Sequence, residues 1–320
     1  MELCKQWTVR MKNNISGGGV MAPVSDPFDP SAFYVSDGWG SCYASMRLRK
    51  LSLETGEELA SVPTRDSTRC IQVEEDRLFA VLNKRILELN RSDLSLRRAY
   101  RKGVPQYSDY VGFNGRDKLL LMNWMGGFLS VFDLNTETAR KKKVDTCCGI
   151  WKEDENSFLL LNGDAILRYD LAGNKLKKLA DTEPCVQCAL GPSGQMYLLC
   201  KGPIEGSTIS SKIVVLPAAL GGTPQEFVPG ELIQHFALSQ DETKLFLSRD
   251  NCIWLYSIPE RRVVFRHKFE GEFAFEDGLH IFHERILTYR WSEQELTCWR
   301  MEERKPGSHM VLTPEEQENI

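Results

Sequence analysis

Ten cysteines and five histidines are the residues most able to do metal or nucleophilic chemistry in this 320-residue chain. Cys185 and Cys188 stand in Cys-x-x-Cys spacing, and Cys147 and Cys148 form an adjacent pair. If those two segments lie side by side, four thiols would approach one another in a set that suits zinc. In an extended strand, however, residues three apart point to opposite faces, so one ion cannot take both thiols of the Cys-x-x-Cys pair. The same objection applies to His280 and His283, which flank Ile281 and Phe282. His235 stands near Glu231 and Gln234 without a metal-ligand motif. We assign no metal site, cofactor or catalytic residue, and read the thiols as packing groups.

Large aromatics in polar segments are the stronger signal. Trp39 lies in "SDGWGSC", Trp124 in "NWMGG" and Trp291 in "RWSEQ". Tyr107 and Tyr110 share "PQYSDY", and Trp151 follows a polar junction. Tryptophan and tyrosine offer rigid apolar area at small entropic cost, which suits recognition of a partner. These six residues are the candidate partner-binding set. Trp7, Trp254 and Trp299 sit inside apolar alternation and are expected in the core.

The elements that must position them repeat along the chain. Short apolar runs end in a polar turn and resume: "KLSLETGEELAS", "LELNRSDLSLRRAY", "SVFDLNTETARKKK" and "LRYDLAGNKLKKL". Looser copies follow as "IVVLPAALGGTPQEF", "WLYSIPERRVVFRH" and "TCWRMEER". The last apolar residue before each turn is Leu53, Leu89, Leu134, Leu171, Leu216, Ile258 and Met301. A recurrence of about 40 residues, with short strands and no helical pattern, is the signature of β-propeller blades. The expected fold is all-β: a seven-bladed β-propeller of four-stranded antiparallel blades over residues 1–304. In the sixth unit the strands are "IQHFALS", "KLFLS", "CIWLYSI" and "RVVFRHKF", separated by "QDET", "RDN" and "PER" turns.

The seventh unit supplies three strands, "GEFAFED", "LHIFHERILTYR" and "ELTCWRME". Near the N-terminus Trp7, Val9 and Met11 alternate with Thr8, Arg10 and Lys12, the pattern of a half-buried strand. Residues 6–12 are expected to form the outermost strand of the last blade and so close the ring. "HMVLT" (309–313) is the alternative. Residues 305–320 form a tail, disordered or a short helix begun by the "TPEEQ" capping box. Within it "GSHM" (307–310) is native or matches a common cloning scar.

"LETGEEL" (53–59) resembles the Thr-Gly hairpin between third and fourth strands in the WD40-like, YVTN-type and quinoprotein-type propeller superfamily. "ALSQDETKLFLS" (237–248) and "ALGPSGQMYLLC" (189–200) resemble the first-to-second strand turns of that group. The resemblance covers nearly the whole chain and implies blade geometry, not chemistry. No Gly-His pair opens the units, no Trp-Asp pair closes them, and kelch double glycines do not recur. "SDGWGS" (36–41) is a degenerate echo of a sialidase-type Asp box. No functional residue is carried over from the superfamily.

In such a ring, the second-to-third strand loops and the blade-linking segments share one face, and the aromatic set lies there. Asp109, Asp145, Asp181, Glu231 and Glu272 lie near successive junctions and could ring the channel mouth. That placement is what a propeller hydrolase or lyase would need. Basic residues fall on outer strands: Arg97, Arg98, Arg101, Lys102, Arg140 to Lys143, Lys175, Lys177 and Lys178. Lysines there block edge-to-edge pairing; the functional alternative is docking of an acidic partner or nucleic acid. Two segments read as insertions, "VSDPFDPSAF" (24–33) in blade one and "KGPIEGSTISS" (201–211) in blade five. The second is expected to be a mobile flap over the face.

Composition bounds the rest. The chain is 42% hydrophobic and 26% charged with net charge −4, ordinary for a globular protein. That balance disfavours wholesale capture of nucleic acid or anionic lipid. The N-terminus lacks the apolar core of a signal peptide, and no run of about 18 apolar residues could span a bilayer. The expectation is a cytoplasmic, non-enzymatic scaffold, monomeric as an isolated domain, that grips a protein or peptide on its aromatic face. No cofactor is expected, and nucleic acid and membrane are not the expected partners.

Overall fold

A computed structural model describes residues 1–11, 23–37, 47–123, 127–144, 147–154, 156–162, 164–205, 208–218, 222–228, 232–249, 251–269, 280–290 and 294–302, with backbone alone for 37, 147–148, 201–205, 208–210 and 290. Its strands form seven four-stranded antiparallel sheets, each a blade of a closed propeller. Blades one to six span residues 24–63, 68–100, 110–143, 147–181, 185–227 and 235–268. Blade seven takes His280–Phe282, Arg285–Arg290 and Glu295–Glu302, and its outermost strand is Glu2–Arg10 from the other end of the chain. No helix occurs among the described residues.

Burial explains why the middle strands lose their alternation. The second strand of blade three, Lys118–Asn123, reads KLLLMN and is buried at each of its four apolar positions. Leu119 and Leu121 join the core shared with blade two, and Leu120 and Met122 the core shared with blade four. A strand covered on both faces wants apolar residues at every position. The outermost strand of the same blade, Thr138–Lys143, is exposed except at Ala139. Ala139 packs on the blade-two side. Stacking each sheet on two neighbours is what removes these strands from water, at roughly 1.5–3 kcal/mol per large apolar side chain.

The N-terminal strand closes the ring as its alternation requires. It runs antiparallel to Glu295–Glu302 with Trp7 opposite Cys298 and Val9 opposite Leu296. It takes the outermost position of that blade; residues 309–313 lie outside the described residues with the rest of 303–320. Trp7 Nε1 donates to Leu53 O at 3.0 Å, and its ring stacks on Phe33 at 6.1 Å. Gly56, at φ 74°, lets the third-to-fourth strand turn of blade one approach this strand; a Cβ there would lie 2.8 Å from both Trp7 and Val9. The Thr-Gly hairpin thus has a physical reason for its glycine.

Three sequence expectations change. "LHIFHERILTYR" is two strands, not one: Phe282 pairs with Arg285 around a tight turn at His283 and Glu284, both with positive φ. "GEFAFED" lies outside the described residues. Residues 24–33 are not an insertion but the first hairpin of blade one, with Val24–Ser25 paired to Phe33 and Tyr34. Residues 201–211 prolong a hairpin: Met196–Glu205 pairs with Thr208–Leu216 out to Glu205 opposite Thr208. The pairing breaks at an irregularity between Lys201 and Ile204 and resumes at Ile204 and Glu205, in a polar stretch that composition alone read as a loop.

Candidate functional site

The face built by second-to-third strand turns and blade-linking segments is called upper here, and the opposite face lower. On the upper side the segment between blades two and three carries Tyr107. Its backbone is left-handed, φ 56°, and the residue is 55% exposed. An aromatic at positive φ is uncommon and costs free energy, so the surrounding contacts must hold it. Asn123 Nδ2 donates to Gln106 O at 3.3 Å, Ser108 Oγ donates to Pro105 O at 3.4 Å, and Asp109 is ion-paired with Arg69. Asn123 ends the second strand of blade three opposite Phe128, which opens the third strand and is 41% exposed. Phe128 also lies opposite Lys143. Tyr107, Phe128 and Lys143 therefore share the upper edge of one blade.

Phe128 was missed because "GGFLSVFDL" reads as a buried strand from its first residue. The glycine pair before it was the available signal of a turn. Of the other predicted residues, Tyr110 packs against the core between blades three and four. Trp151 packs against the core between blades four and five, over Gly149, where any Cβ would run into the indole. Trp39, Trp124 and Trp291 lie outside the described residues. Trp7, Trp254 and Trp299 each pack against a core cluster, as their alternation implied.

The carboxylates do not assemble as a ring where they are described. Asp109 is committed to Arg69, and Asp181 ends the outermost strand of blade four beside Lys178, with which it pairs. Asp145, Glu231 and Glu272 lie outside the described residues. His267 is a packing group between Phe265 and Phe269, and burial lowers its pKa.

The thiols follow a different geometry from the one expected of an even strand. A bulge between Cys185 and Gln187 adds one residue, so Cys185 and Cys188 join the same core cluster with Trp151, Met196 and Cys200. Cys185 lies opposite Cys200. Burial pushes the Cys200 thiol up to about 11, the protonated, unreactive form at neutral pH. The side chains of Cys147 and Cys148 are not described. Among the described residues no three His, Cys, Asp or Glu side chains converge as a metal site would need.

The lower side holds a cavity of about 410 Å³ at the channel mouth, between the innermost strands of blades five, six and seven. Pro192, Gln240, His283 and Glu284, from the first turns of those blades, form its rim. Gln187 fixes the strands beneath it: its Nε2 donates to Phe236 O at 2.8 Å, and its Oε1 accepts from Phe236 N at 2.9 Å. Glu242 ties the rims together by accepting from Ser193 Oγ at 2.7 Å and Tyr197 Oη at 3.0 Å.

Comparison with known proteins agrees with this architecture. No family model and no curated protein matches the chain. Among solved structures, the chain is similar to the Pan2 WD40 domain of Neurospora crassa, with TM-score 0.68, 9% identity, and coverage of 95% of this chain and 96% of that one. It is also similar to KlHsv2 with loop 6CD replaced by a Gly-Ser linker, with TM-score 0.60, 12% identity and coverage of 85% and 89%. The chain has the fold of a WD40-like, seven-bladed β-propeller.

Proposed function

We propose that this propeller is a recognition module that binds a protein or peptide partner on its upper face, with the edge of blade three at the centre of the contact. The observation that carries the reading is Tyr107, an aromatic held in left-handed backbone and turned to solvent on the same upper blade edge as exposed Phe128. Strain at an exposed residue motivates a functional reading of its side chain. Aromatic anchors beside a cation, here Lys143, are a common composition of contact hot spots. Trp39, Trp124 and Trp291 belong to the same proposal on sequence grounds. Affinity capture with the full chain tests it. The partner recovered by the wild type is expected to be lost from Tyr107→Ala with Phe128→Ala, at an unchanged melting temperature. Retention of every partner would sink the proposal.

A second reading rests on the outer rim. Lys141, Lys143, Lys175 and Lys177 are exposed on neighbouring blades and make no ion pair among the described residues. An acidic partner docking there would bind in a salt-sensitive manner. Lys141→Glu with Lys175→Glu would abolish that binding and leave the upper face unaffected.

A further inference from the structure

The lower cavity does not end at the channel. A second cavity of about 190 Å³ lies radially outward, between blades six and seven. The two share Ser239, Ile281 and Glu284, so they form one groove from the channel mouth to the rim. The outer half is floored by Phe246, Leu255, Ile281 and Met301. Its volume is of the order of one large apolar side chain.

Two features give the groove a character. Its hairpin turn is made by His283 at φ 47° and Glu284 at φ 64°. A two-residue turn with both φ positive favours Asn-Gly. Here the costlier pair is His-Glu, and both residues line the cavity. The outer end is also acidic. Glu2 lies directly opposite Glu302 across the last strand pair, a repulsive register. Glu284 and Glu302 line the outer cavity, and none of these three carboxylates has an ion pair among the described residues. Met1 and Lys244 also line that end, and Lys244 lies close enough to Asp241 to favour its charged form.

We propose that this groove is a second, independent docking site for an extended segment of a partner protein, in which one large apolar side chain enters the outer cavity and an adjoining lysine or arginine meets Glu284 and Glu302. The apolar floor supplies an anchor pocket, and the unpaired carboxylates favour a cation beside it. The site does not rest on the upper-face reading, because it uses different blades and the opposite face.

The probe is a random peptide library displayed on phage, selected against the full chain, with the best sequence then synthesised and titrated by fluorescence polarisation. The expected consensus is a leucine, methionine or phenylalanine next to lysine or arginine. Affinity is expected to fall by about tenfold or more on Glu284→Lys with Glu302→Lys, and to be unchanged in Tyr107→Ala. Loss in Tyr107→Ala alone would place the selected peptide on the upper face and overturn the groove assignment. An acidic consensus, no enrichment, or equal affinity for the charge-reversed chain would also overturn it. So would concentration-dependent dimerisation of the chain, seen by sedimentation and abolished by the same reversals, since the occupant would then be a second copy.

Discussion

Two seams of the ring meet at blade seven, and they are built differently. The seam with blade one buries Met11, Phe33, Val35, Leu51, Leu53, Leu287, Leu296 and Cys298, with Trp7 and Val9 packed against them. It is tied further by the Trp7–Leu53 hydrogen bond and the Glu54–Arg285 ion pair. The seam with blade six buries Phe246, Ile253, Leu255, Phe269 and Ile286 among the described residues, rests otherwise on partly buried side chains such as Leu3, Phe265, Trp299 and Met301, and leaves the outer cavity open. The join between the two ends of the chain lies inside blade seven, where Glu2–Arg10 pairs with Glu295–Glu302, and the same N-terminal segment leads on into blade one. A closing strand held by hydrogen bonds and packing alone gains from tight burial against the neighbouring blade, whereas the blade-six seam leaves space beside its core.

Breaking the closing seam should have the largest effect. Trp7→Ala removes the stacked indole and its hydrogen bond, and should cost about 3 kcal/mol of stability, seen as a lower urea midpoint. Gly56→Ala forces a Cβ against Trp7 and Val9 at a positive φ; the expected loss is about 2 kcal/mol by the same measurement. A midpoint unchanged in both would mean that blade seven is held mainly from within.

Acid probes the turns. Asp133 is held down to about 2 by Lys118 and by the Thr136 and Asn135 amides, and Asp241 to about 2 by Ser239 and Thr243. With ordinary values near 4, their contribution is fully present above about pH 4 and is lost as pH falls through about 2. Melting temperature should therefore decline across that window, and Asp133→Asn with Asp241→Asn should flatten the decline. A profile identical to wild type would assign the acid sensitivity to other carboxylates.

The smallest effect separates the seams most sharply. Glu302→Lys replaces a like-charge pair with Glu2 by an opposite one, and should raise stability by about 0.5 kcal/mol. The same substitution is expected to weaken peptide binding in the groove. A stabilised chain that still binds would separate the repulsion from the site.

Much of the fold was legible because a propeller repeats one local pattern. Turn residues recurred about every forty positions, and the period-two pattern from Trp7 to Met11 marked a strand with one wet face. What misled were places where pattern and pairing part. "LHIFHERILTYR" hides a turn because histidine and glutamate occupy positions usually held by asparagine and glycine. "KGPIEGSTISS" looks like a loop because its glycines, proline and serines interrupt the period-two alternation by which a strand is read. The parity argument for Cys185 and Cys188 failed at a bulge, which inserts a residue that no composition rule reveals.

The candidate sites were legible only in part. Tyr107 announced itself as an aromatic in a polar link, but Tyr110 and Trp151, of similar type in similar surroundings, are half-buried against core clusters. Their neighbours across the seam, distant in sequence, decided which rings were covered. Phe128 and the lower groove left still less trace, since exposure at a strand end and a gap between blades are properties of several strands at once.

Strand order, blade number and the closing strand were within reach of the amino-acid sequence, because each follows from hiding apolar positions at local spacings from water. Which aromatics stay exposed, which carboxylates stay unpaired and where space remains between blades were decided by tertiary structure. The physical reason is that burial and pairing at a seam depend on residues brought together by the ring, and neither partner carries that information alone.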